Sequence, residues 1–260
     1  MATLVTFHAH PDDEAIQTAG VTARAVAQGH RVILVSATSG EHGEVEEGFL
    51  REGESLAARR ETELASAGTI LGASRVEFLG YVDSGMMGTS ENDLPGSFWS
   101  ADVEEAAQRL ARILREEDAD ILTIYDPDGT YGHPDHIQVH RVGVRAAELA
   151  GTRKVYEAVV PRERVVAELQ AMSDEALEGP GDIDPETFGV PEATITTIVD
   201  ITDHIEVKRA AMRAHQSQIP ESSFFLALPD EPFATFFGTE YFRLVGAPEG
   251  TQESDLFEGI

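Results

Sequence analysis

At 260 residues and 42% hydrophobic composition, the chain can form one or two domains with a sizeable core. A formal net charge of −28, with only 19 Lys and Arg spread along the chain, excludes the basic patches that nucleic-acid phosphates and anionic membranes require. The absence of cysteine excludes disulfides and thiolate metal sites, so any metal must be held by nitrogen and oxygen.

No segment approaches the roughly eighteen apolar residues of a membrane span. The N-terminus enters a strand without a basic leader, so a cytoplasmic protein is expected. Strand one is expected at Leu4–His8, followed by a helix to Gln28 that Gly29 closes. Between them, HPDDE opens the helix. Pro11 suits a first turn, where its missing N–H costs nothing, and Asp12, Asp13 and Glu14 sit where the helix dipole favours negative charge. Strand two is His30–Ser36. The Gly- and Glu-rich segment Thr38–Gly53 has no period and reads as a loop, either a solvated acidic connection or the edge of a ligand site. A helix over Ser55–Leu71, terminated by Gly72, leads to strand three, Arg75–Leu79, and to an irregular stretch, Tyr81–Trp99. Asp102 caps a helix reaching Glu117. Strand four, Asp120–Tyr125, passes through the turn-rich Asp126–Gly132 into a helix over Pro134–Ala150 and strand five, Lys154–Val159.

Strands alternating with helices of this length imply an α/β fold: a Rossmann-like, mostly parallel sheet with helices on both faces. This core would occupy residues 1–160, with a smaller C-terminal α+β portion, 161–260, packed on it in a single domain. No GxGxxG follows strand one, so a dinucleotide site is not expected. In the C-terminal portion, Gly179–Pro191 reads as a loop, Thr194–Ile201 as a strand, and Asp203–Gln218 as an amphipathic helix. Phe224, Phe225, Phe233, Phe236, Phe237 and Phe242 crowd one stretch. They suit either core packing or an exposed apolar surface for oligomerisation or substrate covering.

The pattern that carries chemistry is a repeat. A single His-Pro-Asp opening is an ordinary helix start. At Tyr131–His136, YGHPDH, it recurs just past another strand and opens another helix. Capping does not explain two such openings, and in open α/β sheets ligand sites lie at the carboxyl ends of strands. A hydrolytic metal wants three protein ligands and an open position, with His and carboxylate typical where Cys is absent. His10 and Asp13 can converge on one point, and His136 can supply a third ligand. Asp12, beside that carboxylate, can act as general base towards a metal-activated water. His133, as a cation, can stabilise an oxyanion or protonate a leaving amine, with Asp135 orienting it and raising its pKa. Tyr131, flanked by Gly129 and Gly132, can swing in to hydrogen-bond a carbonyl. These roles suit amide hydrolysis, with the amine's proton coming from either Asp12 or His133. His8 is expected to face the core or a neighbour, and His140 to pack or to support the ligands from outside. His30, His42, His204 and His215 lack metal spacing and read as surface or satisfied core residues.

AHPDDE near the N-terminus together with GHPDH at Gly132–His136 resembles the LmbE-like (PIG-L) metal-dependent N-deacetylases. That family includes the mycothiol-pathway deacetylase and amidase and the GlcNAc-phosphatidylinositol de-N-acetylase. Similarity extends to TSGE at Thr38–Glu41, Arg60–Glu63 with Leu71–Ala73, the DSGM within Tyr81–Met86, and Lys208 with His215–Gln218. The resemblance implies Zn2+ held by His10, Asp13 and His136, although Fe2+ suits the same donors. It implies Asp12 as base, His133 as the charge-stabilising histidine supported by Asp135, and Tyr131 as a mobile tyrosine. It also implies that Arg60 and Asp83 bind substrate hydroxyls; read alone, they suit a surface salt bridge and a turn cap.

The implied activity is removal of an N-acetyl or other acyl group from an amino-sugar-type small molecule, without nucleic-acid or membrane partners and with a possible homo-oligomer. An amidase acting on larger, thiol S-conjugate-like amides and a non-enzymatic sugar-binding protein of the same fold are the alternatives. The Glu41–Glu54 loop and the C-terminal third are not diagnostic of any one substrate.

Overall fold

Seven strands among the described residues, 1–167 and 188–260 of the computed structural model, make one sheet. They are β1 (Thr3–His8), β2 (Arg31–Thr38), β3 (Arg75–Tyr81), β4 (Ile121–Tyr125), β5 (Lys154–Val159), β6 (Thr197–Asp200) and β7 (Thr239–Leu244). The order is β3-β2-β1-β4-β5-β7-β6. The first five run parallel, while β7 pairs antiparallel with both β5 and β6. The expected mostly parallel α/β sheet is therefore present, and the C-terminal portion extends it. Most of the expected Gly179–Pro191 loop lies outside the described residues.

The longer helices are α1 (Asp13–Gln17), α2 (Ala19–Ala27), α3 (Leu56–Leu71), α4 (Val103–Glu116), α5 (Pro134–Ala150), α6 (Ile205–Ala214) and α7 (Asp230–Phe237). Alternation along the strands sorts them onto two faces. Leu4, Val32 and Leu34 pack with α2, α3 and α6; Val5, Phe7, Ile33 and Val35 pack with α4 and α5. Strands buried on both faces carry apolar residues at successive positions, as Leu4–Val5 of β1 and Val32–Val35 of β2 do. No described helix is long and apolar enough to cross a membrane.

Two helices differ from expectation in ways that shape the site. The helix expected to run unbroken to Gln28 breaks at Thr18, whose φ is −133°. Thr18 Oγ1 is drawn 2.9 Å from His8 Nε2, and the restart leaves backbone amides at Gly20 and Val21. Glu240 of β7 accepts from both at 2.8 Å and pairs with Lys208 Nζ at 2.6 Å. The short α1 thus stays at the carboxyl end of β1. The helix expected to reach Gln218 stops at Ala214, because His215 and Ser217 turn inward to buried carboxylates. The strand expected from Thr194 begins at Thr197, after a 3-10 turn at Glu192–Thr194.

Candidate active site

β1 lies between β2 and β4, so its connections diverge to either side and leave a crevice at the carboxyl ends of the strands. Both His-Pro-Asp segments open into that crevice. Residues 10–14 follow β1, and Gly129–His136 follow β4. His133 is the N-cap of α5, with Pro134 in the first turn and Nδ1 accepting from Asp135 N at 3.1 Å. Gly129, at φ +64°, lets the loop pass over the helix start. A Cβ there would lie 2.7 Å from His136 Cβ and 2.8 Å from Ile137 N.

The imidazoles of His10, His133 and His136 meet at the base of the crevice. Ring centroids are 4.7 Å apart for His10–His133, 5.5 Å for His10–His136 and 5.2 Å for His133–His136. Asp13 turns one oxygen to each of two rings: Oδ2 is 3.4 Å from His10 Nδ1, and Oδ1 is 3.5 Å from His136 Nε2. Among the described residues, donor atoms lie within 4.8 Å of one another in two triples sharing His10, one with His133 and His136 and the other with Asp83 and Asp135. Among the described residues, neither ring nitrogen of the buried His136 has a hydrogen-bond partner. A buried imidazole left so is costly unless something accepts its lone pair, and beside Asp13 and His10 a divalent cation suits that need. Tyr125 stacks beneath His136 at 4.4 Å and donates or accepts at His8 Nδ1, 2.8 Å away, fixing the ring from below.

Electrostatics fit that donor set at His136 and Asp13, and hold His10 towards its protonated form. Burial and the neighbouring His10 hold His136 down at about 4, which is the neutral, ligating form. Burial would raise Asp13, but His136 and His10 outweigh it and hold the carboxylate well below its usual range. Burial would lower His10, yet hydrogen bonds to Asp13, Asp135 and Asp83 drive it well above its ordinary value. A bound cation would compete with that proton.

Asp12 occupies an unusual backbone position, φ 110° and ψ −32°, a region that costs a non-glycine residue about 1–3 kcal/mol. Its N–H donates to Glu14 Oε2 at 3.0 Å, and Arg60 Nη2 donates to Asp12 Oδ1 at 3.3 Å and to Pro11 O at 2.6 Å. Burial, offset in part by Arg60, raises its carboxyl to about 6. Tyr131 is 47% exposed at the mouth, its ring 5.0 Å from His136. The crevice continues as a cavity of about 910 Å³ whose far wall includes Val165, Phe224, Phe225 and Phe236.

A model of the PIG-L family, GlcNAc-PI de-N-acetylase, matches residues 5–147, more than half of the chain and all of both motifs. The chain belongs to this family. A 1D-myo-inositol 2-acetamido-2-deoxy-alpha-D-glucopyranoside deacetylase of Streptomyces avermitilis is 43% identical over 284 residues, covering 99% of this chain and 97% of that protein. One from Catenulispora acidiphila is 42% identical, covering 99% of this chain and 89% of that protein. Among solved structures, N,N'-diacetylchitobiose deacetylase from Pyrococcus horikoshii matches with TM-score 0.61 and 25% identity, over 94% of this chain and 83% of that one.

In this PIG-L chain, His10, Asp12, Asp13, Asp83, Tyr131, His133 and His136 all line the one cavity, as does Arg60. Several of these residues take partners that the sequence reading did not give them. His133 was expected as a cation with its pKa raised by Asp135. Instead burial, with His10 and His136 nearby, lowers it to about 3. The Asp135 carboxylate turns away from it, to His10 Nε2 at 3.2 Å and Ser84 N at 2.9 Å. Arg60 and Asp83 are also already engaged. Arg60 donates to Gly40, Pro11 and Asp12. Asp83 accepts from His42 N and Gly85 N and faces His10.

The Phe cluster divides: Phe233, Phe237 and Phe242 are buried, while Phe224, Phe225 and Phe236 are half-buried on the cavity wall. Sequence reasoning missed Tyr125, Ser84 and the pairing of Glu14 with His215. Nothing in their local spacing announces these contacts.

Proposed function

We propose that this protein is a divalent-metal-dependent N-deacetylase acting on an N-acetyl amino sugar. The relatives named above, aligned along nearly the whole chain, point to 2-acetamido-2-deoxy-α-D-glucopyranosyl inositol as the compound to test first. The observation carrying this reading is the buried His136, with no hydrogen-bond partner on either nitrogen among the described residues, beside an Asp13 that reaches both it and His10. His10, Asp13 and His136 are the residues that would hold Zn2+ or Fe2+, since two imidazoles and a carboxylate suit both. Such a cation supplies Lewis-acid polarisation of an amide carbonyl and makes a nearby water more acidic.

The chain's own groups supply the rest. Asp12 accepts the attacking water's proton; with its carboxyl near 6 it is ionised at neutral pH yet more basic than an ordinary carboxylate. His133 acts as a neutral donor. Its Nδ1 accepts from Asp135 N, so the proton resides on Nε2 and can point at the developing oxyanion. Tyr131 adds a hydroxyl from the mouth. Because His133 is neutral, the proton delivered to the leaving amine is the one Asp12 has taken. Asp135 keeps His10 in place, and Asp83 and Arg60 border the space where sugar hydroxyls would lie.

Acetate and free-amine release by chelator-stripped protein, before and after loading with Zn2+ or Fe2+, tests this. The glucosaminyl inositol compound should be turned over only by the metal-loaded form, and better than thiol S-conjugate amides. Equal turnover without metal would refute the metal's role, and a preference for the conjugates would move the assignment to an amidase.

A further inference from the structure

We propose that the buried Glu14–His215 pair is a positioning device for Asp12, an inference that rests on Asp12 being the base. At φ 110° Asp12 does not keep its backbone shape unaided. One of its restraints is Glu14, whose Oε2 accepts the Asp12 N–H at 3.0 Å. Glu14 is 1% exposed and is not part of the cavity lining, so it does not meet substrate. Its other oxygen, Oε1, lies 2.5 Å from His215 Nε2, and the imidazole is completely buried. A carboxylate gripped on one oxygen by a packed ring cannot rotate its other oxygen away from Asp12.

The same C-terminal segment braces the second restraint. Two residues beyond His215, Ser217 donates through N and Oγ to Glu63 of α3, at 3.0 and 2.6 Å. One turn earlier on α3 is Arg60, which holds Pro11 O and Asp12 Oδ1. His215 and Ser217 therefore lock the two elements that fix the base. Such locking matters because a base displaced by about 1 Å can lose roughly a hundredfold in rate.

The experiment uses full-length, metal-loaded protein with N-acetylglucosamine as probe, following amine release and metal per chain. Glu14→Ala should lower kcat by about 10–100-fold, with KM within about threefold and metal content unchanged. Glu14→Gln, whose amide oxygen can still accept the Asp12 N–H, should recover most of that loss. In an Asp12→Ala background, Glu14→Ala should lower the residual rate by less than about twofold, because it acts through a group already removed. Should Glu14→Ala fail to fold, His215→Gln is read by the same three measures.

Wild-type kcat in Glu14→Ala (or in His215→Gln where that variant replaces it), an undiminished extra loss in the Asp12→Ala background, or loss of metal would each overturn the proposal. If Asp12→Ala is crippled while Glu14→Ala is not, only the positioning role falls. If Asp12→Ala turns over normally, the base assignment falls and takes this role with it.

Discussion

Asp12→Gly should lower turnover by orders of magnitude and yet stabilise the metal-free protein. Folding raises the Asp12 carboxyl from 3.8 to about 6. At about 1.4 kcal/mol per unit, the ionised group disfavours the folded state by about 3 kcal/mol. The sign follows from protonation. Below 3.8 the carboxyl is protonated in both states and there is no penalty; between 3.8 and about 6 the penalty grows; above about 6 it is complete. Glycine also relieves the backbone strain, about 1–3 kcal/mol. Against this stand the lost Arg60 contact, about 1.5 kcal/mol, and glycine's extra chain entropy, about 0.5–1 kcal/mol. The net is a gain of about 1.5–4 kcal/mol near pH 7.5, which for a chain of this size is roughly 3–15 °C in Tm, falling towards zero near pH 4. Thermal and urea unfolding of chelator-treated wild type and variant at pH 7.5, 5.5 and 4 measures it. A destabilised variant, or a gain independent of pH, would refute the reasoning. Metal-loaded Asp12→Gly should meanwhile lose about 10²–10⁴-fold in turnover, the worth of a general base.

Other perturbations separate the remaining roles. His136→Ala should weaken metal binding by more than the roughly 10–100-fold typical of outer partners, read by titration calorimetry or metal analysis. Tyr131→Phe should lower kcat by about 10²-fold with little change in KM, as expected of a donor to a developing oxyanion; an effect confined to KM would assign it to substrate binding. Lys208→Met leaves Glu240 buried with, among the described residues, the Gly20 and Val21 amides as its remaining partners. It should cost about 3–5 kcal/mol in urea unfolding, and adding Glu240→Gln should return much of it.

Which parts of this were legible in the chain follows from range. The parallel core could be read because each strand and helix declares itself over a few residues, and because strands buried on both faces need continuous apolar runs. β7 could not be read this way. Its residues sit in a Phe-rich stretch whose rings divide between core and cavity wall, so no single period dominates. The break at Thr18 was hidden because it depends on His8 below it and on Glu240, 220 residues away from Gly20.

The site divides along the same line. Side chains a few residues apart on a strand-to-helix turn are committed to one place, so the sequence by itself determined that His10, Asp12 and Asp13 would meet, and that His133 and His136 would stand together. Only the tertiary structure decided what each buried polar group faces. Asp135 answers His10 rather than His133, Arg60 is occupied by Pro11, Gly40 and Asp12, and Glu14 finds His215 from 201 residues away. A buried charge must take a partner wherever packing brings one, and packing joins elements whose separation along the chain carries no local signal.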